Sequence, residues 1–390
     1  MLCAGYKTMK SPFKFGRVVV GDAFTDRTQE MKRLRSNIEN NVHTMLISPR
    51  RWGKSSLVKQ TAIHLAKSSS NFKFCFIDLF KIRNEEDFYS SYANAVIKSV
   101  SSKTDEWIAL TKSFLSRITP RISLGTDPSV SDFEINFDLK GIKQNYEEVL
   151  NFPEKIAEKK GMNIIVCLDE FQNLGNFDEP VLIQKRLRAV WQYHQRVTYI
   201  LYGSKRHMLM HLFENKSMPF YKFGDVIYLD KIAGKYLKDF IVDSFSKTGK
   251  IIENRYADKV VERVKCHPYY TQQLAHLVWI NTDEGNTATD EIIDNAIDEL
   301  LNQNSILYQR EIETLSNTQI NFLKAVSDGI ERLSSVEVLR EYKLNTSSNV
   351  TRVKRALEKK EIIDTLDKKI EFIDPVFELW FKKYYSGKHI

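Results

Sequence analysis

Short apolar runs alternate with segments of helical periodicity over residues 1–230 of the chain. The runs are rich in β-branched and aromatic residues and too short for helices, which is typical of strands buried on both faces of a parallel sheet. They lie at Thr44–Ile47, Phe72–Leu79, Asn163–Leu168, Val197–Tyr202 and Asp225–Leu229. Helical patterns separate most of them, at Ser55–Lys67, Glu86–Val100 and Pro180–Gln195. This alternation predicts an α/β fold, in which helices cover both faces of one parallel sheet.

Two further segments in this region have patterns of their own. Phe24–Glu30 opens a helical pattern whose apolar face carries Met31, Leu34 and Ile38. Arg121–Leu139 alternates β-forming residues around Gly125-Thr126-Asp127-Pro128. We interpret the second segment as a hairpin inserted before the helix that leads to the Asn163 strand.

From Lys231 onward the periodicity is mainly helical. After a helical stretch and a connection at Ser244–Asn254, the pattern predicts a small bundle of helices at Tyr256–Val264, Pro268–Thr282 and Thr289–Asn304. Three short helices follow, at Thr318–Val326, Ser335–Glu341 and Ser348–Lys360. After them come two β-forming runs, Ile362–Leu366 and Ile370–Ile373, on either side of the polar turn Asp367-Lys368-Lys369. Three helices and a two-stranded ribbon have the outline of a winged helix. We therefore predict a core at 1–230, a helical lid at 231–314 and a winged helix at 315–390.

The segment directly after the first buried strand predicts a phosphate-binding loop. It matches the pattern G-x-x-x-x-G-K-[ST] except that Ser48 replaces the first glycine. In such a loop the backbone N–H groups and the helix N-terminus form a concave site for polyphosphate. Lys54 would neutralise the β- and γ-phosphates, and the Ser55 hydroxyl would ligate Mg²⁺. The predicted loop comprises Ser48, Pro49, Arg50, Arg51, Trp52, Gly53, Lys54, Ser55 and Ser56; for Arg50 and Arg51, contact with phosphate and contact with solvent alone are both open.

A pair of acids supplies the second half of the predicted site. Asp169 and Glu170 follow the apolar run Asn163–Leu168, and ligands of parallel sheets bind beyond the carboxyl ends of the strands. Asp169 is then suited to hold the Mg²⁺ shell, and Glu170 to accept a proton from the water that attacks the γ-phosphate. Taken alone, an apolar run before an acid is equally a strand that ends in an ordinary turn. Together with the phosphate loop it predicts ATP binding and hydrolysis.

Composition narrows the class of protein without changing this picture. The 390 residues are 42% apolar and 28% charged, which is ordinary for a folded protein with full hydrophobic cores. No apolar run approaches the roughly 20 residues that span a bilayer, and the four cysteines are too far apart in sequence to indicate zinc or a disulfide framework. We expect a cytoplasmic protein with no membrane partner. Residues 1–70 hold 13 Lys/Arg against four Asp/Glu, so positive charge concentrates around the phosphate loop.

With these segments in order, the chain resembles the archaeal-type ATPases of the STAND branch of P-loop NTPases, relatives of the AAA+ proteins. The resemblance runs from about Pro12 to Tyr385. It rests on Phe24-x-x-Arg27-x-x-Glu30, the loop at 48–56, Leu-Asp-Glu-Phe-Gln at 168–172, Tyr202-Gly203-Ser204, Pro219-Phe220-Tyr221, Cys266-His267-Pro268-Tyr269-Tyr270 and the tail at 374–381.

The resemblance implies further site residues. Arg27 and Glu30 match the motif that frames the adenine pocket, and Ser204 matches the sensor that contacts the γ-phosphate or the attacking water. His267 and Pro268 match a lid motif that faces the nucleotide. Two simpler interpretations stay open: Ser204 caps the helix that follows it, and His267 only separates two helices.

One departure from the family pattern concerns the rate of hydrolysis. Relatives often carry an arginine after Pro-Phe-Tyr, where this chain has Lys222-Phe223-Gly224. Because a lysine lacks the fork with which an arginine stabilises transition-state charge, we expect slow hydrolysis, or a stimulating residue supplied by another subunit or partner.

Two hypotheses for the function remain. The first is a Mg²⁺-dependent ATPase that acts as a nucleotide-driven conformational switch, with a protein partner or a nucleotide-dependent homo-oligomer. The second is a nucleic-acid-binding regulator in which ATP mainly stabilises one conformation.

The basic residues of the predicted third helix of the winged helix favour contact with DNA: Arg352, Lys354, Arg355, Lys359 and Lys360. The turn at Lys368-Lys369 would then contact phosphate. The interleaved acids Glu358, Glu361, Asp364 and Asp367 favour a solvated face. Glu170 favours the first hypothesis, because a site that only binds nucleotide needs no base.

Overall fold

The computed structural model describes residues 10–101, 104–115, 120–124, 133–137, 139–365 and 369–386. The chain divides into two compact units, each with its own cluster of buried apolar side chains. One is Arg27–Asp230, here called the α/β unit; the other combines Met1–Asp26 with Lys231–Ile390 and is called the helical unit.

The α/β unit is built on a parallel sheet of five strands. In spatial order these are β2 (Phe72–Asp78), β5 (Asn163–Asp169), β6 (Val197–Gly203), β1 (Thr44–Ile47) and β7 (Asp225–Tyr228). Every residue of β1 and β6 is buried, as are the five central residues of β5. Strands covered on both faces read as continuous apolar runs, which is why the sequence pattern located them. The predicted α/β class with one parallel sheet is confirmed.

Seven helices of the α/β unit surround this sheet in the described residues: α1 (Thr28–Glu39), α2 (Lys54–Ser68), α3 (Glu85–Val100), α4 (Thr104–Phe114), α5 (Leu139–Lys160), α6 (Pro180–Trp191) and α7 (Arg206–Glu214). A kink interrupts α5 at Asn145. The predicted hairpin is present as an antiparallel pair, β3 (Pro120–Leu124) and β4 (Phe133–Phe137). Its predicted turn at 125–128 lies outside the described residues.

In the helical unit, residues before Arg27 pack together with residues after Asp230. Phe13 is buried against Phe240 and Phe245, with ring centroids 5.9 and 5.8 Å apart. Gln272 accepts a hydrogen bond from Lys14 N at 2.7 Å and donates one to Ala23 O at 3.3 Å. The sequence pattern had assigned residues 1–230 to one core, whereas these contacts group residues 10–26 with the helical unit.

The helices and strands of the helical unit are α8 (Gly234–Ser246), α9 (Asn254–Arg263), α10 (Pro268–Ile280), α11 (Asp290–Glu313), α12 (Asn317–Ser327), α13 (Val336–Glu341), α14 (Ser347–Lys359), β8 (Ile363–Asp364), β9 (Glu371–Phe372) and α15 (Pro375–Phe381). Helix α11 continues past its predicted end at Asn304, because its buried face extends to Tyr308 and Ile312. Of the predicted polar turn at 367–369, residues 367 and 368 lie outside the described residues. None of the helices within the described ranges is both long and apolar enough to cross a membrane.

Candidate nucleotide-binding site

The order of the strands brings the predicted site residues together. Strand β6 lies between β1 and β5, with Ile47 opposite Gly203 and Leu168 opposite Leu201. Since the strands are parallel, the phosphate loop after β1, Ser204 after β6 and Asp169 at the end of β5 all lie at the same edge of the sheet. These segments are far apart in sequence and adjacent in space.

The loop itself turns sharply into helix α2. Gly53 has a φ of 92° and Arg51 a φ of 63°, so the chain passes through the left-handed region just before Lys54. The buried Lys54 donates from Nζ to the carbonyl oxygens of Ser48, at 3.2 Å, and Pro49, at 2.9 Å. Ser48 does not adopt a positive φ, so a serine fits at the position where the pattern has glycine. Its own hydroxyl donates to Pro49 O at 3.1 Å.

Two oxygen ligands suited to Mg²⁺ meet where α2 begins. The Ser55 hydroxyl donates to Asp169 Oδ2 at 2.7 Å, and Asp169 Oδ1 accepts from Glu170 N at 2.8 Å. Burial raises the pKa of Asp169, and the hydrogen bond from Ser55 opposes that rise. A hydroxyl and a carboxylate are hard oxygen donors of the kind that Mg²⁺ prefers. The donor set therefore fits this ion.

The Glu170 carboxylate lies at the centre of a set of polar contacts. The buried Ser204 donates to Glu170 Oε2 at 2.9 Å, and Gln172 Nε2 donates to the same oxygen. Arg50 Nε in turn lies 3.4 Å from Ser204 Oγ. Ser204 does not cap α7, whose N-cap residue is Lys205. The loop, the sensor position and the acid are thus linked through side chains.

Arg27, which is paired with Glu30, makes a further contact with the loop. The Arg27 guanidinium is 3% exposed; it bonds Glu30 Oε1 at 2.9 Å and donates to the carbonyl of Trp52 at 3.2 Å. This arrangement attaches the start of the α/β unit to the phosphate loop. The adenine-pocket role of both residues stays a prediction.

The remaining predicted residues are spread over both units. Arg51 is exposed, whereas Ser56 is buried in the first turn of α2. His267 and Pro268 belong to the helical unit, where His267 is the N-cap of α10 and its Nδ1 accepts from Tyr270 N at 3.4 Å. The structure thus contains the capping role; the nucleotide-facing role of His267 and Pro268 stays a prediction.

Sequence reasoning missed two polar residues at this edge. Gln172 was part of a quoted motif but had no assigned role, although it contacts Glu170 directly. Asp78 ends strand β2 and is paired in register with Asp169. The signal for Asp78 was available, since it follows an apolar run just as Asp169 does.

A phosphate loop at a helix N-terminus, a serine–aspartate pair and a glutamate at the next strand end define the site of a P-loop ATPase. The comparison of sequences agrees: residues 24–274 match the family described as an ATPase domain predominantly from Archaea, and residues 306–383 match a family described as a probable winged helix domain. The chain belongs to this archaeal ATPase family. It binds nucleotide and is an ATP-hydrolysing P-loop enzyme with a C-terminal winged helix.

Solved structures with the same fold span both units. The Walker-type ATPase PABY2304 of Pyrococcus abyssi is 17% identical, with a TM-score of 0.67 over 95% of this chain and 99% of that one. The ORC2 protein of Aeropyrum pernix in its ADP form is 12% identical, with a TM-score of 0.54 over 95% and 97%. At these identities the likeness concerns the fold. No curated protein matches the chain.

Proposed function

We propose that this chain is a Mg²⁺-dependent ATPase that acts as a nucleotide-driven conformational switch with slow turnover. The observation that carries the proposal is the joining of two pairs, Ser55 with Asp169 and Ser204 with Glu170, beside Lys54. Each pair links residues from different strand ends, so the constellation forms only when the sheet is folded. A scaffold with a vestigial loop would not need both pairs.

Each residue of the constellation has a distinct task. Ser55 and Asp169 would hold Mg²⁺, which neutralises phosphate charge when bound. Lys54 exchanges its bonds to the loop carbonyls for bonds to the β- and γ-phosphates. Glu170 accepts the proton of the attacking water. Ser204, at the end of the strand that lies between β1 and β5, senses the γ-phosphate.

Support for a switch comes from where the chain passes between its two units. It does so after Asp26 and again after Asp230. Arg27, the first residue of the α/β unit, has a φ of 65° and donates to Trp52 O in the phosphate loop. A rearrangement of that loop on binding or losing the γ-phosphate would therefore change the contact made by Arg27, at the first point where the chain passes between the units.

Slow turnover follows from the segment after Pro219-Phe220-Tyr221. Lys222 has a φ of 50°, and its Nζ lies 5.5 Å from the ring centroid of Tyr221. A lysine there supplies a point charge without the planar fork of an arginine. Slow hydrolysis keeps the ATP-bound form populated, which suits a switch.

The test uses Glu170→Gln, with Glu179→Gln on the exposed start of α6 as the matched control. We expect Glu170→Gln to bind ATP with the wild-type Kd and to hydrolyse it at least about 100-fold more slowly. Particle size, measured with and without ATP, should change on nucleotide binding and stay changed in this variant. Wild-type turnover in Glu170→Gln would refute the base, and a particle indifferent to ATP would refute the switch.

A second candidate function is regulation through nucleic acid. Helix α14 exposes Arg352, Arg355 and Lys359 on the winged helix, as phosphate contact requires. Against this, Arg352 also donates to Asn349 Oδ1 at 2.7 Å and Lys360 to Thr314 Oγ1 at 3.0 Å. Turnover measured with and without duplex DNA separates the candidates: stimulation by DNA favours the second and basal turnover alone the first.

A further inference from the structure

Gln172 donates a hydrogen bond directly to the proposed base. It lies in the 3₁₀ turn Phe171–Asn176 that follows strand β5, and its Nε2 donates to Glu170 Oε2. The Ser204 hydroxyl donates to the same oxygen at 2.9 Å. Both donors therefore reach Oε2, and neither of these bonds involves Oε1. A carboxylate held at one oxygen by two donors from different segments has a defined orientation.

The amide of Gln172 has only one possible orientation in this contact. An ionised carboxylate only accepts hydrogen bonds, so the amide nitrogen must face Glu170. The carbonyl oxygen then points into the protein, where it is buried and has no hydrogen-bond partner among the described residues. Gln172 is 1% exposed. Leaving a buried acceptor unpaired is destabilising, so this glutamine occupies its place at a cost in stability.

Two features of the backbone around Gln172 are unusual. Glu170 has a φ of 51°, in the left-handed region that residues with a side chain rarely adopt. Gly203 ends strand β6 beside Gln172, and a Cβ at position 203 would lie 1.9 Å from Gln172 Oε1. A glycine at position 203 is thus needed for Gln172 to occupy its place. Unpaired polar groups and unusual backbone of this kind concentrate at functional sites.

We propose that Gln172 is a positioning residue of ATP hydrolysis: with Ser204 it holds Oε2 of Glu170, so that Oε1 receives the proton. The proposal rests on the proposed role of Glu170 as the base. In the step it serves, the water oxygen forms a bond to the γ-phosphorus and the bond from that phosphorus to the β–γ bridging oxygen breaks. The water proton passes to Glu170 Oε1, and ADP leaves with the electron pair of the broken bond.

Gln172→Met separates positioning from packing. Methionine has a similar length and volume but no donor. It loses the bond to Glu170 and also removes the unpaired carbonyl, and because these two effects on stability oppose each other, the protein should stay folded with a small net change in stability. We expect kcat to fall about 10- to 100-fold, the order of magnitude lost when a catalytic group is misplaced. The Kd for ATP should stay within about threefold of wild type, because Gln172 acts through Glu170 and not on the phosphates.

The matched control is Gln184→Met in α6. Gln184 is also buried, at 2% exposure, and its Oε1 likewise lacks a hydrogen-bond partner among the described residues. The Gln184→Met variant should keep wild-type turnover.

Gly203→Ala is a second way to disturb Gln172, because its new methyl group must displace the Gln172 amide. Turnover should fall in this variant too, while ATP still binds. If Gln172→Met turned over like wild type, the positioning role would be overturned.

A double variant distinguishes this proposal from the one on which it rests. If Gln172 acts through Glu170, Glu170→Gln combined with Gln172→Met is no slower than Glu170→Gln alone. A further multiplicative loss means that Gln172 acts elsewhere, which overturns the positioning role while Glu170 remains the base. Wild-type turnover in Glu170→Gln alone identifies the failure of the base instead, and Gln172 then has nothing to position.

Discussion

The Ser55 hydroxyl donates a hydrogen bond to the Asp169 carboxylate over 2.7 Å, although 114 positions separate the two residues in sequence. Ser55 lies in the first turn of α2, and Asp169 is the last residue of β5. Strand β6, which lies between β1 and β5, keeps the two segments at a fixed separation. This hydrogen bond therefore forms only when the sheet is folded, and its two side chains are the ones proposed to hold the metal.

Replacing Ser55 with alanine should raise the Mg²⁺ concentration needed for ATP hydrolysis. The hydroxyl is one of two protein oxygens proposed to hold the ion, so we expect at least about a tenfold shift in the half-maximal Mg²⁺ concentration. The measurement is turnover against Mg²⁺, beside ATP affinity in the presence of a chelator, which should not change. Ser68→Ala, on the exposed end of the same helix, is the control. An unaltered Mg²⁺ requirement would remove Ser55 from the metal site.

Lys54→Ala should abolish ATP binding in practice. Lys54 is the buried cation of the loop, and loss of its contacts to two phosphates should weaken binding by at least about 100-fold, or about 2.7 kcal/mol. Calorimetric titration with ATP measures this. Lys59→Ala, an exposed lysine further along α2, should bind like wild type. Wild-type affinity in a folded Lys54→Ala protein would contradict the site.

Stability should fall as the pH drops below about 6.5, because two histidines, the partly buried His43 and the buried His194, stay neutral in the folded protein. Burial, together with the charge of Arg188, lowers the pKa of His43 to about 4; burial, together with His43, lowers that of His194 to about 4. The unfolded chain takes up protons near 6.5 and the folded chain only near 4. Stability is thus full above 6.5 and is lost progressively toward 4, by about 1 kcal/mol per histidine at pH 5.5.

Urea unfolding at pH 7.5 and 5.5 tests this expectation. His194 lies 2.9 Å from the Tyr199 hydroxyl, and His194→Gln keeps a polar partner there without a titrating ring. This variant should lose less stability than wild type between the two pH values, whereas His207→Gln, at an exposed position, should behave like wild type. Equal losses in wild type and His194→Gln would contradict the assignment.

Tyr270→Phe should destabilise the helical unit and leave ATP binding at the phosphate loop, which contains Lys54, unchanged. The Tyr270 hydroxyl donates to Asp374 Oδ2, which also accepts from Tyr308 at 3.2 Å, while Asp374 Oδ1 caps α15 through Val376 N at 2.9 Å. These bonds join α10, α11 and α15 at a site where burial raises the pKa of Asp374. Losing one hydrogen bond to a charged group should cost about 1.5–3 kcal/mol.

Thermal unfolding of Tyr270→Phe, Tyr308→Phe and the double variant measures this coupling. The two hydroxyls share one carboxylate oxygen, so the combined loss should differ from the sum of the single losses. Tyr236→Phe, at an exposed position on α8, is the control. Simple additivity would show that the two tyrosines act independently.

The sequence alone determined the elements and the chemistry of the site. Strands β1, β5 and β6 are buried on both faces, so each appears as a continuous apolar run with clear ends. The loop that ends in Gly53-Lys54-Ser55 and the acids after Leu168 are local motifs, because their chemistry depends on neighbours along the chain. Because parallel strands end at the same edge of a sheet, the sequence also predicted that the two motifs lie together there.

Tertiary structure decided which side chains meet. The contacts of Gln172 with Glu170 and of Tyr270 with Asp374 join positions whose spacing carries no periodic signal, and Gly203 matters only because a buried amide lies beside it. The grouping of Phe13 with Phe240 and Phe245 likewise has no counterpart in the local pattern. The physical reason is that periodicity records which face of an element is buried, whereas the partner on that face is fixed only when distant elements pack.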